Sequence, residues 1–358
     1  MHILLCSSYP HHPETRGGLQ STTDELCLAL MEKGVGVTVL CGRMDTTDEA
    51  GISYDRSLGY LVVRASAPAS ALPLVAGLLD PAVIVVQSSH RLADLLAVAL
   101  ETHIPTAVYL HNVEGHRVGG VLPNHPDILY FANSSFTAAR WLALFGIGCH
   151  VLPPVVLPHR YQAPSSGDRV LFVNPVPEKG LERLETLARA NPDVPFLAVE
   201  SWTAGASWRG WLEQRFCRCP NVEWRPAAAD MSRVYAEARF VLMPSVWEEA
   251  YGRTVIEAQI NGLPVLASNR GALPATVGGG GIVLDLEAPP EQWSLALRRL
   301  YFDITVWQAT SDAARDNART VTLDTMRALD DALMHLGLHA LGRKSGSPSA
   351  GAGASFPL

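Results

Sequence analysis

The chain has 358 residues, 48% of them hydrophobic and 18% charged, with a formal net charge of −7. That length exceeds what one compact core usually holds, so two domains are expected, and the composition is that of a globular protein with large buried sheets. No apolar run reaches the length of a membrane span, since the best candidate, 69–86, is broken by Pro73, Asp80 and Pro81, and the acidic balance argues against nucleic acid as a partner.

In chain order, residues 2–7 (HILLCS) form a first buried strand. They carry no basic region, so the N-terminus reads as structure and not as a signal peptide, and a cytoplasmic location is expected. A loop with Pro10, Pro13, Arg16, Gly17 and Gly18 leads into a helix over 19–32, and a second strand follows at 35–40. Strand, helix, strand is the parallel βαβ unit, and paired glycines at a helix N-terminus let a backbone approach a ligand closely. The spacing is not G-x-G-x-x-G, so a dinucleotide fingerprint is absent. Strands at 60–64, 82–87 and 106–111 come next, with a helix near 90–100. His111 stands at the carboxyl end of its strand, where open parallel sheets bind ligands. A strand at 127–132 and a helix at 134–145 with Ser134 as N-cap follow. From Leu152 to Gly167 the density of proline and serine, without periodicity, marks a linker.

A second series of strands begins at 169–174 and continues, after the loop NPVPEKG and a helix over 181–190, at 195–199, 221–224 and 240–243. The stretch 240–268 carries the most information. An apolar strand, a Pro-Ser break and an acidic loop containing Glu249 lead to a helix that begins at Gly252 and is capped by Asn261-Gly262. Another apolar strand runs over 263–267. Glu249 in the loop and Glu257 on the helix can face one polyhydroxylated ligand, and the helix N-terminus between them offers N–H groups to a phosphate. A last strand at 282–285 and helices near 290–302, 305–317 and 323–336 close the chain, and the tail beyond has almost nothing to bury. The six cysteines have neither metal-site nor disulfide spacing, which fits free thiols in a reducing compartment.

Pro244-Ser245, Glu249, Tyr251-Gly252, Glu257-Ala258, Gly262 and Pro264-Val265, in that order, resemble the glutamate-pair signature (E-x7-E) of the retaining family 4 glycosyltransferases. The resemblance implies an α/β fold of GT-B architecture, two Rossmann-like parallel-sheet domains facing across a cleft. Residues 1–157 would form the acceptor-side domain and 168–322 the nucleotide-sugar donor domain. A helix at 323–337 would return to the first domain, ahead of a disordered tail at 338–358. It implies transfer of a hexosyl group from a UDP- or GDP-sugar to a hydroxyl of a small-molecule or glycan acceptor. The first 157 residues hold only 8 of the 28 Lys and Arg but 13 of the 35 Asp and Glu. With no basic patch there, a soluble acceptor is expected and membrane association is not.

By the same resemblance Glu257 accepts hydrogen bonds from the ribose and Glu249 touches the hexose, while His111 meets the donor sugar. The Gly17-Gly18 turn faces the diphosphate and the acceptor. Lys179 and the backbone of Gly252, Arg253 and Thr254 hold the diphosphate, beside Tyr251. Glu249, His111 and Lys179 are thus the catalytic candidates. No Asp-x-Asp motif is present, so neither a metal nor a cofactor is expected. The chain departs from the family pattern twice. Asn174-Pro175 stands where the family has Gly-Arg, and a loop that usually ends in Glu ends here in Ala275. Arg253, or else Arg270, is the candidate to replace the missing cation. The departures keep a second reading open, a catalytically weak or inactive sugar-nucleotide-binding protein of the same fold.

Overall fold

A computed structural model describes residues 1–44, 51–164, 167–201 and 205–345. Two sheets organise them. The first is built from β1 (His2–Pro10), β2 (Gly36–Gly42), β3 (Ile52–Asp55), β4 (Leu61–Ala65), β5 (Val83–Gln87), β6 (Thr106–Leu110), β7 (Ile128–Ala132) and β8 (His150–Val151). Its order is β3-β4-β2-β1-β5-β6-β7-β8, and every pair is parallel except the β3–β4 edge. Helices α1 (Gly18–Glu32), α2 (Pro68–Leu79), α3 (Leu92–Glu101) and α4 (Ser135–Phe145) accompany it. Both faces of the central strands are covered, which is why they read as continuous apolar runs. Within β1, Ile3 and Leu5 enter one core with Leu26 and Leu30 of α1, while Leu4 and Cys6 enter the other with Leu72 of α2 and Leu95 of α3.

The second sheet comprises β9 (Arg169–Val173), β10 (Phe196–Val199), β11 (Val222–Arg225), β12 (Ala238–Met243), β13 (Val265–Ser268) and β14 (Gly281–Leu284). All its pairs are parallel, in the order β11-β10-β9-β12-β13-β14. Helices α5 (Leu181–Ala190), α6 (Ala206–Phe216), α7 (Met231–Ala236), α8 (Arg253–Ile260), α9 (Leu273–Val277) and α10 (Pro290–Phe302) pack around it. The order reverses between β9 and β12, so the loops after these two strands open the crevice where parallel sheets bind ligands. The architecture is two parallel-sheet α/β domains.

Three features differ from the sequence expectations. The helices expected at 305–317 and 323–336 are one continuous helix, α11 (Ile304–Ser345), of 42 residues. Residues 318–322 (ARTVT) contain neither Gly nor Pro, so nothing stops it. Its first half holds the second domain, Ser311 Oγ donating to the Gly262 carbonyl at 2.6 Å. Its second half carries Leu329, Ala332, Leu336 and Ala340 into the core of the first domain. The disorder expected from 338 onward therefore does not begin there, because Ala340 finds that core; the expectation for 346–358 lies outside the described residues. The stretch read as a linker is not a solvated tether either: Val155, Val156 and Tyr161 are buried around a 3-10 turn at Pro158–Arg160. Lastly, the apolar run 69–86 hides α2, with Pro68 in its first turn and Pro73 inside it. Among the described residues no helix is long and apolar enough to cross a membrane.

Since α11 completes the first core, Leu329→Ala should destabilise that domain by about 2–5 kcal/mol, read as a lower urea midpoint. An unchanged midpoint would mean that α11 merely lies against the domain.

Candidate active site

The loop between β12 and α8 is fixed by the end of β13, the loop after it and α9. The Ala272 N–H donates to the Glu249 carbonyl at 2.8 Å, Thr276 Oγ1 donates to the Tyr251 carbonyl at 2.6 Å, and Ser268 Oγ donates to the Ser245 carbonyl at 2.7 Å. Gly252 then starts α8 with φ +87°, a left-handed conformation, and a Cβ there would lie 2.7 Å from Leu273 Cδ2. A second close approach brings the loop after β9 to this one. Gly180 also has φ +87°, and a Cβ on it would lie 2.2 Å from the Pro244 carbonyl oxygen.

That approach places Lys179 Nζ 2.6 Å from Glu249 Oε1 and 4.5 Å from the centre of the Trp247 ring. Ser245 Oγ donates to the same carboxylate oxygen at 2.6 Å. Burial alone would raise the Glu249 carboxyl, but the Lys179 ammonium, with the hydrogen bonds from Lys179, Ser245 and Trp247, holds it below the usual carboxylate range. Lys179 and Glu249 thus form a preassembled ion pair.

These groups line a cavity of about 600 Å³ between the domains. Gly17, Gly18, His111, Tyr251, Gly252, Arg253 and Thr254 line it with them. Glu257 lines an adjoining cavity of about 360 Å³, whose wall also includes Arg16, Gly17, Gly18, Arg253 and Thr254. The structure therefore brings every residue singled out for the donor site to one cleft. A Cβ on Gly18 would meet nothing within 4 Å, so the turn leaves the space open. His111 follows β6 with its Nε2 enclosed and without a partner among the described residues, its ring centre 4.0 Å from that of Tyr109. Burial lowers its imidazole to about 3, so the ring is neutral at physiological pH.

Glu257 accepts from Arg253 Nε at 2.7 Å and from the Tyr235 hydroxyl at 2.8 Å. Burial pushes its carboxyl up in spite of Arg253. The expectation for Arg253 needs correction. Its guanidinium does not stand beside Lys179 but crosses to the first domain. There it pairs with Glu25 at 2.5 Å and donates to the Tyr161 hydroxyl at 2.8 Å and to the Val155 carbonyl at 2.8 Å. Two carboxylates consume its charge, and only its backbone remains at the helix N-terminus. Arg270 is no substitute, because its Nε donates to the Val246 carbonyl at 3.0 Å and it lines neither cavity.

What occupies the position of the missing Gly-Arg is informative. Asn174 has φ +66°, the left-handed region that Gly favours and Asn tolerates, so the loop keeps a glycine-like path. The residue is 4% exposed, it lines the larger cavity, and its amide nitrogen is buried without a partner among the described residues. Sequence reasoning registered only the loss of a cation here. The available signal was that asparagine is the common non-glycine choice for that conformation. Arg117, also in the cavity wall and 5.9 Å from the Trp247 ring centre, was missed as well. The first domain closes the cleft from its α4 end, where Ser134 Oγ donates to the Ala250 carbonyl at 2.5 Å and Arg140 pairs with Glu248.

Residues 167–303 match the model of a family described as Glycosyl transferases group 1. Over 91 residues the chain is 37% identical to the D-inositol 3-phosphate glycosyltransferase of Corynebacterium kroppenstedtii, covering 25% of this chain and 20% of that protein. Over 233 residues it is 28% identical to the D-inositol 3-phosphate glycosyltransferase of Corynebacterium glutamicum, covering 64% and 54%. The chain thus spans about half or less of the length of these curated relatives. Sucrose-phosphate synthase from Thermosynechococcus elongatus superposes with a TM-score of 0.76 at 17% identity, over 95% of this chain and 99% of that one. Anabaena HepE in complex with UDP-glucose does so with 0.71 at 16%, over 94% and 100%. At such identities the likeness concerns the fold, which is GT-B.

A neutral His111 with its Nε2 enclosed makes stability depend on pH. The unfolded chain binds a proton there below about 6.5, whereas the folded chain binds one only near 3. Stability is therefore full above the unfolded value and falls as the pH drops through this window. Between pH 7.5 and pH 5, His111→Gln should remove ~2 kcal/mol of that loss, measured by urea unfolding at both values. An identical pH slope in the variant would mean that His111 titrates normally.

Proposed function

We propose that this chain, a GT-B protein that belongs through its second domain to the group 1 glycosyl transferases, is a retaining hexosyltransferase. It would use a nucleotide-sugar donor and a hydroxyl on a soluble acceptor. The observation that carries this reading is the Lys179–Glu249 pair at the N-terminus of α8, in a cavity that adjoins the Glu257 carboxylate. The ligand bound in a structural neighbour, UDP-glucose in Anabaena HepE, supports a nucleotide-sugar.

The donor's diphosphate lies between Lys179 and the N–H groups of Gly252, Arg253 and Thr254, where a helix dipole favours an anion. Lys179 then exchanges Glu249 for phosphate oxygens, and the released carboxylate turns to the sugar hydroxyls. Glu257 has both oxygens engaged, but each carboxylate oxygen accepts more than one hydrogen bond, which leaves room for a ribose hydroxyl. In the transfer the bond from the anomeric carbon to the diphosphate oxygen breaks and the acceptor oxygen bonds to that carbon from the same face. The acceptor proton passes to the departing phosphate. Lys179, the helix N-terminus and the Asn174 amide stabilise the charge that develops on the leaving group. Neutral His111 meets the sugar as a hydrogen-bonding group. No metal ion or cofactor takes part, and the protein works in the cytoplasm. Binding without transfer is the second reading, favoured by Pro175, which supplies neither a charge nor an N–H. Product analysis with UDP- and GDP-sugars separates the two.

Glu257→Ala should weaken free nucleoside diphosphate binding about tenfold to a hundredfold. Glu249→Ala, which frees Lys179, should leave that affinity equal or better while lowering turnover, with wild-type turnover unchanged in EDTA. Equal effects of the two variants on calorimetric Kd would refute this division of roles, and loss of activity in EDTA would refute the metal-free scheme.

Asn174→Gly should preserve or raise the melting temperature, because glycine is at ease at positive φ. Turnover should nonetheless fall about tenfold as a donor to the leaving group is lost. If activity is unchanged, Asn174 serves the backbone alone.

A further inference from the structure

The smaller cavity contains a carboxylate that the mechanism above leaves idle. Glu200 follows β10, its backbone N–H donating to the Arg225 carbonyl at 3.0 Å, and its side chain is 2% exposed. One oxygen, Oε2, accepts from Arg209 Nη2 at 3.1 Å, whereas Oε1 is enclosed and has no hydrogen-bond partner among the described residues. Arg209 accounts for Glu200 being charged in this place, but not for the oxygen that faces nothing. A buried carboxylate oxygen without a donor is costly, so the arrangement fits a donor that arrives with a ligand.

The parts of a nucleotide come in fixed order. With the diphosphate at Lys179 and the ribose at Glu257, the base extends past Glu257, away from Lys179. The cavity that Glu257 lines is also bounded by Glu200 and the alanines at 227–229, with Val173 and Ser201 shared with the larger cavity. These small side chains leave room for an aromatic ring, and Glu200 is the acceptor at its edge. Guanine presents adjacent N1–H and N2–H donors, which a carboxylate accepts as a pair. Uracil presents one N–H between two carbonyl oxygens that a carboxylate repels, and adenine sets a bare ring nitrogen beside its amino group. We propose that Glu200 reads the base and makes the donor a guanosine diphosphate sugar. The inference rests on the nucleotide-sugar reading above.

Calorimetric titration of the full chain with GDP, IDP, UDP and ADP tests it. GDP should bind at least tenfold more tightly than UDP or ADP, and IDP, which lacks only the 2-amino group, should bind about tenfold more weakly than GDP. Glu200→Gln turns an amide against guanine's donors. It should weaken GDP about tenfold to a hundredfold and leave UDP unchanged or tighter. The comparison of GDP with IDP on the native chain needs no variant to fold. UDP binding as well as GDP, IDP matching GDP, or a uniform loss for all four in Glu200→Gln would overturn the base assignment and leave the nucleotide reading intact. If none of the four binds, the nucleotide reading falls and the base assignment falls with it.

Discussion

Arg253 is buried at the boundary of the two domains, and the shape of the cleft depends on it. Its guanidinium joins Glu257 on its own helix to Glu25 on α1 and to Tyr161 and Val155 in the connecting segment. Such a node adds little net stability, because desolvating three charges offsets most of their attraction. Removing one member is another matter, since the charge left behind is buried and unmatched, at a cost of about 3–5 kcal/mol. The node therefore specifies an arrangement more than it strengthens one. It fixes α8, whose N-terminus faces the larger cavity, against α1, whose first turn forms the opposite wall.

Around that node the site keeps two carboxylates in different states of readiness. Glu249, with an ammonium and a hydroxyl on one oxygen, is held ionised and low. Glu257 is as deeply buried, and there the burial wins, pushing its carboxyl up although Arg253 touches it. The difference follows from sharing. Arg253 divides its charge between Glu257 and Glu25, whereas Lys179 gives its charge to Glu249. A ligand that brings its own negative charge meets a lysine already paired with Glu249.

The backbone supplies the other half of the geometry. Gly180 and Gly252 occupy left-handed conformations where two loops run too close for a side chain, and Asn174 adopts the same region at the end of β9. All three lie at the carboxyl ends of β9 and β12, where the strand order reverses. The helix N-terminus, the lysine and the unmatched amide converge there because the topology leaves that crevice open.

Much of this was legible in the sequence. Apolar runs marked the central strands and Asn261-Gly262 marked the end of α8. The order of residues from Pro244 to Val265 pointed to a site between Glu249 and Glu257. These signals are local, written in periodicity and capping chemistry within a few residues. The tertiary structure alone decided the rest. The charge of Arg253 goes to Glu25, 228 positions away, and not to the neighbouring loop. The continuity of α11 through two domains also comes from the docked core, as does the burial of the connecting segment. The unmatched atoms of Asn174 and Glu200 arise in the same way, because a polar group lacks a partner only once folding has removed water and placed its neighbours. Residue types and spacing state which charges are available; which of them stay free for a ligand is set by what each meets when the domains close.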